Sequence, residues 1–140
     1  MEGKAILIVD DEPSMRMALS ESLVSCGYRV DTAVDGADGL NKFKQGRYKA
    51  VITDMRMPKA NGMDVLRGIK ASSPQTHVIV ITAYGTVSTA VEAMKNGASD
   101  FIMKPFSLDE LESVVRNVLA DGMPADSALG RCREQDRNRE

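Results

Sequence analysis

The sequence predicts an α/β domain built on a five-stranded parallel sheet with helices on both faces, and three observations carry that expectation. Short apolar runs alternate with amphipathic helical stretches five times along the chain. Valine and isoleucine dominate the first and fourth runs at successive positions, as in strands covered on both faces. The composition, 43% hydrophobic and 27% charged over 140 residues, is that of an ordinary globular domain. A domain near this size buries about 70% of its unfolded surface.

Taken in order, the first strand spans Ala5–Val9. The helix after it carries the stripe Met15, Ala18, Leu19, Ser22, Leu23 and Cys26, closed by Gly27. Tyr28–Ala33 is the second strand. The helix from Gly36 to about Lys44 is the least favoured, because Gly36 and Gly39 both lower helix propensity. The third strand, Ala50–Thr53, precedes a helix with Val65, Leu66 and Ile69, begun after Asn61-Gly62. His77 starts the fourth strand, Val78–Ile81, and a stripe of Val87, Ala90, Val91 and Met94 follows, ended by Gly97. The fifth strand is Phe101–Met103. The last helix begins through Ser107, has Asp109 and Glu110 in its first turn, and carries Leu108, Leu111, Val115, Val118 and Leu119.

Five strand-then-helix units in series, joined by right-handed crossovers, suit a doubly wound sheet. The common order for five such strands is 2-1-3-4-5, the flavodoxin-like arrangement, with ligands at the carboxyl ends of strands one and three. The domain is expected over residues 1–119. Residues 120–140 contain Gly122, Pro124 and Gly130, then a charged run, and over the whole segment four arginines face five acids. That near-neutral composition reads as a linker or C-terminal tail rather than a basic nucleic-acid arm.

Several function classes drop out early. The longest apolar run, Ala5–Val9, is far short of the roughly 20 residues that cross a bilayer. Met1-Glu2-Gly3-Lys4 leads straight into a strand, with no room for a signal peptide. Cys26 and Cys132 make no disulfide framework and suit a reducing, cytoplasmic compartment. One histidine, His77, excludes a His-rich zinc site, and a net charge of −2 argues against direct nucleic-acid contact.

The chemistry gathers at the strand ends. Strand one ends in Asp10-Asp11-Glu12, strand three in Asp54, strand four in Thr82 and strand five in Lys104-Pro105. Each residue alone has an ordinary explanation as a cap, a turn or a solvated charge. Neighbouring strands lie about 4.8 Å apart, so the predicted order brings Asp10, Asp11 and Asp54 into one pocket. Three such carboxylates repel one another unless a cation joins them, and hard oxygen donors suit Mg²⁺. Strand five lies about 10 Å from strand three, a gap that a lysine can span. An acidic cluster, a divalent cation, a hydroxyl and an ammonium together suit phosphoryl transfer, which needs positioning and charge neutralisation above all. Asp54, central and without a basic neighbour in sequence, is the natural carboxylate nucleophile.

The segments Leu7-Ile8-Val9-Asp10-Asp11-Glu12, Asp54-Met55-Arg56-Met57-Pro58 with Gly62, Ile81-Thr82-Ala83 and Lys104-Pro105-Phe106 resemble receiver domains of two-component response regulators, over about residues 4–119. The resemblance implies that Asp54 accepts a phosphoryl group from a histidine kinase or phosphotransfer protein. It implies Mg²⁺ on Asp11, Asp54 and the carbonyl of Arg56, with Asp10 acting through water. Thr82 and Lys104 would contact phosphoryl oxygens, and the Lys104–Pro105 bond would be cis. The family's switch pairs Thr82 with an aromatic, here Phe101, for which plain core packing is the competing reading. The output surface would be the fourth helix, fifth strand and fifth helix, also the surface for homodimer formation. Val114 there is either part of a contact patch or a scattered surface residue. Arg56 and Tyr84 flank the site and would tune the lifetime of the phosphoryl group.

The stretch from Thr82-Ala83-Tyr84-Gly85-Thr86-Val87 to Ala98-Ser99-Asp100-Phe101 is similar to receivers of nitrogen-regulatory-type activators of sigma-54 polymerase. The chain contains no Gly-x-x-x-x-Gly-Lys loop and no helix-turn-helix after Leu119. The resemblance then implies either an excised receiver, with the tail as the start of a linker, or a stand-alone regulator acting by protein contact. Either way it is expected to be a signalling module that assists its own phosphorylation and dephosphorylation, not an enzyme. A haloacid-dehalogenase-type phosphatase would place nucleophile and acid two residues apart, unlike adjacent Asp10-Asp11. A flavodoxin-like electron carrier needs a hydroxyl-rich loop where this chain has three acids. A degenerate receiver serving only as a scaffold would lack some of the site residues, and all are present.

Overall fold

A computed structural model describes residues 4–55, 62–82 and 87–119. The readings placed on Arg56, Tyr84 and residues 120–140 lie outside the described residues. Ten elements alternate: β1 (Ala5–Val9), α1 (Pro13–Ser25), β2 (Arg29–Ala33), α2 (Gly36–Gln45), β3 (Ala50–Asp54), α3 (Gly62–Ser72), β4 (His77–Thr82), α4 (Val87–Lys95), β5 (Asp100–Met103) and α5 (Leu108–Leu119). The strands form one sheet in the order β2-β1-β3-β4-β5, every pair parallel, as the sequence predicts.

Alternation along the strands divides the core in two. Ile6, Ile8, Ile52, Ile79, Ile81 and Ile102 point to one face and pack with Leu19 and Leu23 of α1 and Leu111 and Val115 of α5. Leu7, Val9, Val51, Val78 and Val80 point to the other and pack with Leu66 and Ile69 of α3 and Ala93 of α4. Burying each such isoleucine or leucine contributes about 1.5–3 kcal/mol before chain entropy is subtracted. The two clusters clamp the sheet, which fixes the carboxyl ends of β1, β3 and β4 relative to one another.

Local sequence explains the helix ends. Gly27 has φ +98°, and the Gly27 amide bonds to Val24 O at 2.9 Å while the Tyr28 amide reaches Leu23 O at 3.2 Å, closing α1. The hydroxyl of Ser107 accepts from the amide of Glu110 at 3.0 Å and starts α5. α2 forms despite its two glycines because Asp35 caps it, accepting from the Asp38 amide at 2.8 Å. Gly39 is needed there: a Cβ would lie 2.7 Å from Cγ2 of Val9, so the glycine lets α2 approach β1.

Two side-chain readings need correction. Among the described side chains of α4, Ala93, outside the expected stripe, is wholly buried, whereas Val91 and Met94 are 43% and 44% exposed. A small alanine brings the helix close to the sheet and turns the larger side chains outward. Leu108, read into the α5 stripe, is 41% exposed at the first position of the helix. Val114 is half-buried and packs against the α1–α5 core cluster.

Candidate functional site

Register builds the site. Val9 pairs with Thr53, so the next residue of β1's chain, Asp10, stands beside Asp54. Asp54 pairs with Ile81, so Thr82 lies one position further along β4. Thr82 pairs with Met103, and the amide of Lys104 then donates to the Thr82 carbonyl at 2.8 Å. Four strand ends thus place Asp10, Asp54, Thr82 and Lys104 on one rim, and the cis peptide bond at Pro105 follows directly.

One carboxylate oxygen from each of Asp10, Asp11 and Asp54 lies within 4.8 Å of the others. Asp10 and Asp54 are buried, at 1% and 7% exposure, while Asp11 is exposed. Thr82 is buried as well. The Lys104 ammonium reaches Oδ2 of Asp54 at 3.0 Å, so the long side chain does cross from β5 to β3. Burial pushes the Asp10 carboxyl above its usual range, and the nearby charges of Asp54 and Asp11 push the same way, against the amide of Glu12 and the ammonium of Lys104. For Lys104, burial pulls downward, but its hydrogen bond to Asp54 and the charges of Asp54, Asp10 and Glu12 outweigh it and hold the ammonium above the ordinary lysine range.

The donor set fits a hard divalent cation. Asp10 Oδ1 accepts from the amide of Glu12 at 2.9 Å, but Asp10 Oδ2 is buried with no hydrogen-bond partner among the described residues. An unpartnered buried carboxylate oxygen is costly, and a cation shared with Asp11 and Asp54 would satisfy it.

The backbone around Asp54 is tightly held. Its own carbonyl accepts from the buried hydroxyl of Thr53 at 3.1 Å. The amide of Met55 donates to Ile81 O at 2.8 Å, and that of Gly62 donates to Met55 O at 2.9 Å. A Cβ on Gly62 would lie 2.5 Å from the carbonyl oxygen of Asp54, so only glycine fits. Phe101 lies away from the acids, half-buried against the α3–α4 core cluster, and lines a shallow groove of about 480 Å³ with Ala90, Val91, Met94 and Lys95. A larger groove of about 990 Å³, lined in part by Lys4, Lys44, Arg47 and Lys49, opens at the amino ends of the strands and includes none of the predicted site residues.

Two contributors escape a reading of the sequence. Thr53 looks like one more strand residue, and Arg16 like a solvated base on α1, yet Arg16 Nη1 donates to the carbonyl of Asp10 at 2.9 Å. Neither residue type signals this, because each acts by donating to a main-chain carbonyl, which the sequence does not mark.

The parallel doubly wound sheet thus carries three acids and a lysine together at its carboxyl edge. The chain belongs to the response regulator receiver domain family, whose profile matches residues 6–116. It is 40% identical over 114 residues to the regulatory protein AtoC of Escherichia coli, and 39% identical over 115 residues to the transcriptional regulatory protein ZraR of Klebsiella oxytoca. The matches cover 81% and 82% of this chain but only 25% and 26% of those relatives, so the chain spans about a quarter of their length. The solved receiver domain protein from Clostridium thermocellum superposes with a TM-score of 0.80 at 36% identity, covering 84% of this chain and 95% of that one. No helix among the described residues is long and apolar enough to cross a membrane.

Proposed function

We propose that this receiver domain is switched by phosphorylation of Asp54, with Asp10, Asp11, Asp54 and the carbonyl of Arg56 holding Mg²⁺, directly or through water. The observation that carries the reading is the convergence of three carboxylates and one ammonium on a single rim, with one acid oxygen of Asp10 buried and unpartnered. The donor is a phosphohistidine on a histidine kinase or phosphotransfer protein. A carboxylate oxygen of Asp54 forms a bond to phosphorus as the nitrogen–phosphorus bond breaks, the imidazole leaves with the electron pair, and an acyl phosphate results. Mg²⁺, when bound, neutralises charge on the transferring phosphoryl oxygens.

The chain's own residues do the rest. Lys104, already on Asp54, follows a phosphoryl oxygen and offsets its added charge. Thr82, one position beyond the strand partner of Asp54, donates its hydroxyl to another oxygen. Its movement opens space beside β4 into which Phe101 turns, so the groove of Ala90, Val91 and Met94 changes shape with the state of Asp54. That surface of α4, β5 and α5 carries the output and the self-association of the phosphorylated chain. The similarity to AtoC and ZraR supports a transcriptional output through a sigma-54 activator, with the whole system in the cytoplasm. Incubation with acetyl phosphate and Mg²⁺ tests the reading by intact mass: one phosphoryl group is gained by the parent and none by Asp54→Asn. Equal labelling of both proteins refutes it.

A further inference from the structure

We propose that Arg16 is a positioning residue for the carboxylate of Asp11, acting through the peptide unit that joins Asp10 to Asp11; the inference rests on the reading of the acid cluster as a Mg²⁺ site. Arg16 sits in the first half of α1, half-buried, and reaches back six residues to the Asp10 carbonyl at 2.9 Å. A peptide unit is planar, so the carbonyl of residue 10 and the N–H of residue 11 point in fixed, opposed directions. Holding that carbonyl therefore sets the plane from which Asp11 projects its side chain.

Asp10 does not need this help, and Asp11 does. The amide of Asp10 donates to Ala33 O at 3.1 Å, its Oδ1 accepts from Glu12, and its side chain is enclosed. Asp11 is exposed, and its carboxylate makes no hydrogen bond among the described residues, yet one of its oxygens lies within 4.8 Å of Asp10 and Asp54. Its direction must come from its backbone. The backbone is anchored on one side by the strand and on the other by Arg16, whose own amide donates to Glu12 O at 3.0 Å as the helix begins. The guanidinium thus ties α1 to the acid loop and leaves Asp11 aimed at the cluster.

A purely electrostatic role gives the opposite sign. Removing a positive charge beside an anionic pocket would tighten Mg²⁺ binding, whereas removing the anchor of Asp11 weakens it. Three full-length proteins are compared by calorimetric titration with Mg²⁺: the parent, Arg16→Met, which keeps the length without a donor, and Arg16→Lys, which keeps a donor and the charge. Arg16→Met should lose about tenfold in Mg²⁺ affinity, while Arg16→Lys stays within about threefold of the parent. The metal-free thermal midpoints should agree within about 2 °C. Tighter or unchanged binding by Arg16→Met overturns the inference. So does a loss common to both variants and matched by an equal fall in metal-free stability, which indicates packing alone. A parent that takes up no Mg²⁺ overturns the metal reading and this inference together, whereas a parent that binds beside an equally competent Arg16→Met overturns the inference only.

Discussion

The ammonium of Lys104 lies 3.0 Å from Oδ2 of Asp54, across fifty residues of sequence and one intervening strand. Asp54 is enclosed, and the lysine covers it from the β5 side, so the pair is screened less than a surface ion pair. Its partner charges raise the lysine's proton affinity, so its contribution to stability is full below the ordinary lysine value near 10.5 and is lost as pH climbs through the raised one. At neutral pH the pair is intact.

Lys104→Met should therefore destabilise the metal-free protein at pH 7. The loss expected in urea unfolding is about 1–3 kcal/mol, because the buried carboxylate of Asp54 is left without its ammonium. Mg²⁺ should restore part of it, since a cation on the acids replaces the missing charge. A Lys104→Met variant as stable as the parent without Mg²⁺ would show that the pair contributes nothing.

Asp10 gives a second pH test, in the acid range. Burial and its acidic neighbours raise the folded-state proton affinity, so the folded protein holds this proton more tightly than the unfolded chain. The resulting penalty is absent below the ordinary value near 3.8 and grows as pH rises through the raised one. Asp10→Asn, in a metal chelator, should be more stable than the parent at pH 7, with the gap closing towards pH 4. Saturating Mg²⁺ should narrow the gap by stabilising the parent alone. Thermal melts across pH check both statements, and a gap that widens on acidification contradicts them.

Gly62 is the backbone's contribution to the same centre. A methyl there meets the carbonyl oxygen of Asp54 at 2.5 Å and Cα of Met55 at 2.8 Å, and main chain cannot swing aside as a side chain can. Gly62→Ala should cost about 1–3 kcal/mol in urea unfolding and slow acetyl phosphate labelling together. Retention of both would show that the loop relaxes without moving Asp54.

The fold and the acid cluster were legible because both follow from strands. A parallel sheet sets successive carboxyl ends side by side, so Asp10, Asp54, Thr82 and Lys104 could be gathered from strand positions alone. What escaped depends on which face of a helix is covered, and by what. Apolar periodicity marks Val91 and Met94 as a stripe whether they meet the core or solvent, and only the depth of Ala93 reveals the geometry. Gly39 looks like a helix breaker until Val9 is seen beneath it. Glu112 and Arg116 look like surface charges on α5, yet they are 6% and 3% exposed.

That buried charge on α5 yields a further prediction. The hydroxyl of Ser22 on α1 donates to Oε2 of Glu112 at 2.5 Å, while Oε1 has no partner among the described residues. Ser22→Ala should cost about 1–3 kcal/mol, since it leaves an enclosed carboxylate unsatisfied. The double variant Ser22→Ala/Glu112→Leu should recover most of that loss, because both polar groups are then gone. Denaturant midpoints for the cycle decide it, and strictly additive losses would show that the two residues do not interact.

Chemical trapping of the modified residue tests the central claim most directly. Borohydride reduces an acyl phosphate of aspartate to homoserine, so peptide mapping after acetyl phosphate treatment reports which carboxylate carried the group. Homoserine is expected at position 54 alone, in the presence of Mg²⁺ and not in a chelator. Homoserine at position 10 or 11, or equal conversion at position 54 without any divalent cation, would contradict the account.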